Sequence, residues 1–359
     1  MSKITCPFCL HRISPEPIAS SSGGMLCPRD ECESHKRQIP LPKEAFDHDV
    51  FPIAIVGASS SGKTYFLTAL MNEFISKPMW DGDYWRIEMV HYAKDMEHES
   101  VDNRFVKHWR DLFRNKTPLS NTQTGEYLSP LILSVTYSKE RKWTFHEPFR
   151  KRKQLLVFHD VPGEFTTSDD ARMALSSRYG ALGAAKGVIV LVEPRELPLL
   201  GSQLVANRKI PQNFASGGGF AFDAINGLRV AKQHGKPVAV CLSKSDLFLD
   251  VPSVIERDAH LVQYKLTNVS TAGALNLADI SEVAADVRNI FERLGGGDLL
   301  SRIDSSFRYS SLFAVSSLGE DVVDAFTNTF KRDAIIRPIR VMDPILWMLW
   351  QYGMLGGVS

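Results

Sequence analysis

No stretch of this chain approaches the ~20 consecutive apolar residues that a bilayer-spanning helix requires, so no membrane partner is expected. The N-terminus, Met1-Ser2-Lys3-Ile4-Thr5-Cys6, lacks the apolar run of a signal peptide. Charge of one sign is missing too. The 42 Lys and Arg balance 41 Asp and Glu to a formal net charge of +1, which gives no global pull toward nucleic acid or an anionic surface. Cysteine is scarce, at five in 359 residues, and too unevenly placed for a disulfide scaffold. What remains is ordinary for a globular protein: 44% hydrophobic and 23% charged residues. The length suits two or three domains, or one large α/β domain with an appendage.

One stretch organises the rest. Gly57-Ala58-Ser59-Ser60-Ser61-Gly62-Lys63-Thr64 reads G-x-x-x-x-G-K-T, the glycine loop that cradles phosphates. An apolar, β-branched run from Phe51 to Val56 precedes it and reads as a buried strand. Thr64 to Ile75 follows, with Phe66, Leu67, Leu70, Met71 and Phe74 at helical spacing. Strand, loop and helix together aim backbone N–H groups and the positive end of a helix at one anion. Ser59, Ser60, Ser61, Gly62, Lys63, Thr64 and Tyr65 are therefore the candidate phosphate-binding residues. Lys63 is placed to reach the β- and γ-oxygens, and the Thr64 hydroxyl to meet Mg²⁺. A phosphate-binding enzyme with no export signal is expected in the reducing cytoplasm.

Four of the five cysteines fall within the first 32 residues, as Cys6-Pro7-Phe8-Cys9 and Cys27-x4-Cys32. Two such pairs supply four thiolates to one structural Zn²⁺, in a zinc knuckle or ribbon over residues 1–45. His11 and His35 are nearby substitutes, His35 for Cys32 in particular. Ser20 to Gly24 reads as the tip of a small hairpin. Cys241 lies in an apolar strand and reads as packing. Pro40, Pro42 and the charged run Lys43 to Asp49 mark a linker, with a second domain over residues 50–359.

Further strands are expected at Trp85 to Met89, Leu131 to Tyr137, Leu155 to His159, Gly187 to Val192, Pro237 to Leu242 and Leu312 to Val315. A charged helix is expected from His91 to Phe113, and an irregular stretch around Gly217-Gly218-Gly219. Arg141, Lys142 and Arg150-Lys151-Arg152-Lys153 fall in the connection before the Leu155 strand and read as a solvated hairpin tip. Contact with nucleic acid is the less favoured reading. That strand ends in Asp160-Val161-Pro162-Gly163, where open α/β sheets bind ligands. Asp160 is placed to hold Mg²⁺ through water, and the Gly163 N–H to bond the γ-phosphate. The same string would also serve as the carboxylate of an ATPase. The tail, Ile345 to Trp350, is apolar on every side and reads as a core-packed terminal helix, with a partner-binding surface as the alternative.

The Pro237 strand runs into Ser243-Lys244-Ser245-Asp246, and the Leu312 strand into Ser316-Ser317-Leu318. P-loop, D-x-x-G, S-K-x-D and S-S-L, in that order and each after a strand, resemble the translation-factor-related (TRAFAC) class of P-loop GTPases. The resemblance implies a doubly wound, mainly parallel α/β sheet, with GTP/GDP and Mg²⁺ as ligands. It makes Asp246 the carboxylate that reads guanine, Lys244 the stem that covers the ring, and Ser316, Ser317 and Leu318 the loop at guanine O6. Ser243 stands where that class has Asn or Thr. The class also needs a switch threonine, for which Thr122 comes first and Thr117 and Thr124 behind. The residue after D-x-x-G, a water-orienting glutamine in many members, is Glu164, which implies slow turnover without an activator; Arg172 and Arg178 are candidates for an accelerating arginine in cis. Asp160 comes 97 positions after Lys63, so large inserts are present. Cysteine knuckle, inserts and the closing Arg337-Pro338-Ile339-Arg340-Val341-Met342-Asp343-Pro344-Ile345-Leu346-Trp347 also resemble the bacterial double-GTPase families. That narrower resemblance implies protein partners in a multi-component system. An ATPase, a non-hydrolysing nucleotide-bound scaffold and a nucleic-acid binder reading through the knuckle are the rival functions.

Overall fold

The computed structural model describes residues 4–13, 18–19, 24–58, 61–76, 85–90, 104–119, 129–138, 151–161, 183–207, 210, 219–230, 235–251, 274–319, 322–324, 329–331 and 334–358. Two short antiparallel pairs open the chain: β1 (Ile4–Thr5) with β2 (Arg12–Ile13), and β3 (Ile18–Ala19) with β4 (Met25–Leu26). After α1 (Glu33–Lys36) come β5 (Asp49–Gly57), α2 (Lys63–Ser76), β6 (Trp85–Met89) and α3 (Arg104–Trp109), which a π-turn extends over Arg110–Arg114. β7 (Leu131–Ser138), β8 (Lys151–Asp160) and β9 (Gly187–Val192) lead into α4 (Pro198–Ala206), α5 (Phe220–Val230) and β10 (Val238–Leu242). The chain closes with β11 (Ala274–Asn276), α6 (Leu277–Arg293), α7 (Gly297–Ser306), β12 (Ser310–Ala314), β13 (Val323–Asp324), β14 (Thr329–Phe330), α8 (Asp343–Gln351) and β15 (Gly356–Val358).

Seven strands form one sheet in the order β12-β10-β9-β5-β8-β7-β6. The five from β12 to β8 run parallel, and β7 and β6 add an antiparallel edge. The parallel strands read as unbroken apolar runs because both faces are covered; every residue of β9 and of β10 is buried. On one face Phe51, Ile53, Ile55, Leu156, Phe158, Ile189, Leu191 and Phe313 meet α2, α3 and α8. On the other, Ala54, Val56, Val188, Val190, Val238, Val240 and Leu312 meet α4, α5, α6 and α7. Each fully buried Val, Ile or Leu contributes about 1.5–3 kcal/mol.

On the β5–β8–β7 side of that second face the cysteine knuckle takes the place of a helix. Phe8, Leu10, Ile13, Ile39 and Leu41 pack with Val50, Ile132, Leu155 and Val157. The stretch expected as a linker is docked on the sheet: Lys43–Phe46 is a 3₁₀ turn, His48 Nε2 lies 2.9 Å from Ser134 Oγ, and Lys153 pairs with Asp47 at 2.6 Å.

Two other expectations need correction. The stretch expected to be irregular contains α4 and α5, because Leu197, Leu200 and Leu204, then Ala221, Ala224, Ile225 and Leu228, recur at helical spacing and all bury. Lys151, Arg152 and Lys153 belong to β8 and not to its preceding connection, since Tyr137 and Ser138 of β7 continue the ladder opposite them. Arg141, Lys142 and Arg150 lie outside the described residues, as do positions 91–103 of the expected helix. The apolar tail is a core helix: Ile345 to Leu349 are all buried in α8. No helix among the described residues is long and apolar enough to cross a membrane.

Candidate functional site

The carboxyl ends of the parallel strands bring Gly57, Asp160, Val192, Leu242 and Ala314 to one edge of the sheet, the edge at which open α/β sheets take their ligands. At its centre the chain leaves β5 through the glycine loop. A Cβ on Gly57 would stand 2.9 Å from the Leu191 carbonyl oxygen and 2.5 Å from Ser61 Oγ, so only glycine lets the loop close against β9. Gly62 has φ +85°, a left-handed conformation that glycine adopts without steric cost. The loop closes with Ser61 N–H on the Ala58 carbonyl at 3.0 Å and passes into α2 with Phe66 N–H on Gly62 O at 2.8 Å. Lys63 donates to the carbonyls of Gly57 and Ala58 at 2.8 and 2.9 Å, which seats its ammonium at the loop mouth. Thr64 stands beside it, half-buried, at the first turn of α2. The Tyr65 hydroxyl is committed elsewhere, accepting from the Leu119 N–H at 2.8 Å.

Asp160 sits at the end of β8, level with Ile55 of β5. Burial pushes its carboxyl up from the usual range, against the lowering charges of Lys63 and Arg104. Arg104, on the first turn of α3, reaches Asp160 Oδ2 with Nη2 at 3.4 Å. Among the described residues, Ser61 Oγ, Asp160 Oδ1 and Arg104 Nη1 at this end of the sheet are buried without a hydrogen-bond partner, as is Ser245 Oγ just beyond β10. Buried orphans of this kind cost about 1–3 kcal/mol each. Their chemistry is complementary to a metal–phosphate pair, because an orphaned carboxylate oxygen wants a cation or a donor and an orphaned guanidinium N–H wants an anionic acceptor. Asp160 and Thr64 thus fit Mg²⁺ by donor type.

The neighbouring strand ends hold the other motifs. Ser243 Oγ donates to the Val192 carbonyl at 3.1 Å, tying β10 to β9 where an Asn or Thr was expected. Lys244 has φ +54° and pairs with Glu193 at 2.5 Å. Arg195 binds the other oxygen of Glu193. Asp246 is buried, and its Oδ1 accepts from Ser316 Oγ at 2.5 Å. Ser316 Oγ in turn accepts from the N–H groups of Leu318 and Gly319 at 3.3 and 2.9 Å, which curls Ser317 and Leu318 around it. Asp246 and Ser316, 70 positions apart, are thereby one unit.

Behind that loop runs the tail. Ser316 and Ile339 exchange two backbone bonds, at 3.0 and 2.8 Å, and Arg337 N–H donates to Leu318 O at 2.8 Å. A Cβ on Gly319 would stand 1.5 Å from the Arg337 carbonyl oxygen, and φ is +86° there, so glycine is doubly required. Arg340 donates to Asp343 Oδ2 at 2.7 Å and also to Asp279 on α6, all three side chains being buried.

The cysteines converge as their spacing predicts. The Sγ atoms of Cys6, Cys9, Cys27 and Cys32 all lie within 4.8 Å of one another, with Cys6–Cys32 and Cys9–Cys27 both at 3.8 Å. A tetrahedral Zn²⁺ with Zn–S near 2.3 Å requires S···S separations of about 3.8 Å. The four thiols fit the metal. His35 is not needed: its Nδ1 lies 3.1 Å from Cys27 O and its Nε2 3.5 Å from Asp30. Beneath the knuckle His159 is half-buried with its Nε2 shut off from solvent, and burial pushes it down to about 4, so it is neutral. Cys241 packs in the sheet core, as expected.

Ser59, Ser60, Thr122, Thr124, Gly163, Glu164, Arg172 and Arg178 lie outside the described residues, and Thr117 is exposed. Sequence reasoning missed Arg104, Glu193 and the Arg340 cluster. For the first the signal is weak, a single Arg in a charged helix. Glu193 stood in view at the end of an apolar strand.

The chain matches the model of the family described as Double-GTPase 2 over residues 51–292. No curated protein matches it. Among solved structures it is similar to the signal recognition particle receptor SRb-GTP/SRX complex from Chaetomium thermophilum, at 16% identity, over 75% of this chain and 92% of that one, with a TM-score of 0.30. It is also similar to the Ski7 GTPase-like domain of S. cerevisiae, bound to GDP and inorganic phosphate, at 12% identity and a TM-score of 0.30. That match covers 86% of this chain and 51% of the other, so the chain spans about half of that solved chain. With scores this low it is the family match, over well more than half of the sequence, that decides the assignment: the chain belongs to the Double-GTPase 2 family, GTP-binding and GTP-hydrolysing proteins of switch type.

Proposed function

We propose that the chain is a Mg²⁺-dependent guanine-nucleotide switch that hydrolyses GTP slowly by itself and regulates a protein partner in a multi-component bacterial system. The observation that carries this reading is the meeting, at one sheet edge, of the Lys63 loop, the orphaned Asp160 oxygen and the Asp246–Ser316 unit. Ser59 to Tyr65 and Gly163 hold the phosphates, Thr64 and Asp160 hold Mg²⁺, and the bound metal neutralises phosphate charge. Ser243, Lys244, Asp246 and the Ser316–Leu318 loop read the base. A carboxylate accepts from guanine N1 and N2, a donor pair that adenine does not offer. Lys63, Thr122 and Glu164 are the proposed catalytic set. Glu164 brings a negative charge near the γ-phosphate and no donor to it, which is the reason for slow turnover. Cys6, Cys9, Cys27 and Cys32 hold a structural Zn²⁺, with residues 1–45 as its knuckle and 50–359 as the GTPase domain, and unoxidised thiols suit a cytoplasmic setting.

Calorimetry with GDP and ADP, with and without Mg²⁺, tests it. GDP should bind at least a hundredfold more tightly than ADP, and Asp246→Asn should shift preference toward xanthine nucleotide. Equal affinity for ADP and GDP would replace this reading with an ATPase.

A further inference from the structure

Arg104 is the one arginine among the described residues paired with Asp160. Its side chain is 14% exposed and that of Asp160 3%. At 3.4 Å the contact is long for a charge-assisted bond, and it uses Nη2 alone. Among the described residues neither Nη1 nor Asp160 Oδ1, both buried, has a hydrogen-bond partner. Lys63, whose ammonium sits at the mouth of the glycine loop, acts on the same carboxylate, so guanidinium and ammonium share Asp160 as a partner. A counter-ion built only to neutralise Asp160 would present its fork bidentately and satisfy both orphans. Here the fork is offset, with one arm unspent. α3 is held firmly enough to aim it: Trp109 Nε1 donates to Asn72 of α2 at 2.8 Å, and Phe105 is buried in the core against the same helix.

We propose that Arg104 is a catalytic residue, supplied in cis, whose free guanidinium N–H donates to the γ-phosphoryl group of bound GTP as it is transferred. This rests on the GTPase reading above. In the step, a water oxygen forms a bond to the γ-phosphorus while the bond to the β,γ-bridging oxygen breaks. The electron pair of that bond stays on the bridging oxygen, which becomes a terminal oxygen of GDP. The water proton leaves to the inorganic phosphate or to solvent. Negative charge grows on the bridging and equatorial oxygens as this happens, and a guanidinium donating there lowers the barrier without taking up or giving a proton. Neither Arg172 nor Arg178 is then required.

The test is single-turnover hydrolysis of pre-bound GTP by the full chain, unchanged, Arg104→Ala and Arg104→Lys, with GDP affinity measured on each and GDP–aluminium fluoride complex formation as a second readout. Removing such an arginine should slow hydrolysis about 10³-fold or more, with GDP affinity within threefold and no aluminium fluoride complex. Arg104→Lys keeps the charge beside Asp160 but not the fork, so it should also be slow; this variant guards against misfolding of the Ala form. Hydrolysis by Arg104→Lys within threefold of the unchanged chain would show a counter-ion and overturn the proposal alone. Equal loss of GDP binding and hydrolysis in both variants would overturn it as well. An unchanged chain that binds GTP and never hydrolyses it would overturn the proposal and the GTPase reading together.

Discussion

Replacing Arg340 with Met should cost the fold far more than its place in a C-terminal segment suggests. The guanidinium bridges two carboxylates, Asp343 at the start of α8 and Asp279 in the first turn of α6, and all three residues are at most 6% exposed. Met matches much of the arginine stem in volume, so packing changes little, but two buried carboxylates lose their shared cation. Breaking a buried pair from one side costs about 3–5 kcal/mol, against a typical total stability of about 5–15 kcal/mol. The helix N-termini beside both Asp residues offset only about 0.3–1 kcal/mol each. Urea denaturation should show a lower midpoint with an unchanged slope. Arg340→Met combined with Asp279→Asn and Asp343→Asn removes both charges along with the cation and should recover most of the loss. The site should register the change too, because Ile339, next to Arg340, shares two backbone bonds with Ser316, and Arg337 gives a third to Leu318. At about 0.5–1.5 kcal/mol per bond, partial loss should weaken GDP binding roughly tenfold. A single variant whose unfolding free energy falls by less than about 1 kcal/mol would show that the carboxylates are already satisfied by other groups, and the reasoning would be refuted.

Elemental analysis should find one zinc per chain, lost on Cys32→Ser and kept on His35→Ala. Because the knuckle covers Val50, Ile132, Leu155 and Val157, chelation should also lower the thermal midpoint; substoichiometric zinc that ignores the cysteine substitutions would sink the assignment. Glu196 gives a pH dependence of defined sign. Burial pushes its carboxyl up to about 7 from an ordinary 4.5, against the N–H groups of Glu193 and Ala221 that it accepts. The folded state holds this proton more tightly than the unfolded chain, so stability should decline as pH rises from about 4.5 to 7, by on the order of 2 kcal/mol. Glu196→Gln should flatten that decline, and parallel urea-midpoint profiles at pH 5 and 8 for the two proteins would remove Glu196 as its source.

The sheet could be read from the sequence because its parallel strands are buried on both faces and so carry uninterrupted apolar runs; Gly187–Val192 is β9 to the residue. The glycine loop and the cysteine pairs could be read for a different reason. Each is a local device whose ligands or backbone torsions lie within a few positions, so spacing alone constrains the geometry. Helices α4 and α5 carry apolar residues at helical periodicity, but the run of glycines at 217–219 between them signals a loop in the sequence alone.

What spacing does not reveal is any pairing that the fold itself creates. Arg104 meets Asp160 across 56 positions and Arg340 meets Asp279 across 61, and in both cases the arginine stands among other charged or proline-flanked residues that give it no local distinction. The knuckle is the same problem at larger scale. Its four cysteines announce a metal, yet nothing in residues 1–45 says that Phe8, Leu10 and Ile13 will pack against Val50, Ile132, Leu155 and Val157 of the sheet. That placement follows from the topology. The pairing of β7 with β8 is antiparallel, and an antiparallel connection needs no crossover helix, so their second face is left for another segment to bury. A module at the N-terminus fills it, and at His159, one residue before Asp160 and half-buried beneath the cysteines, it packs directly behind the strand that ends at the nucleotide edge.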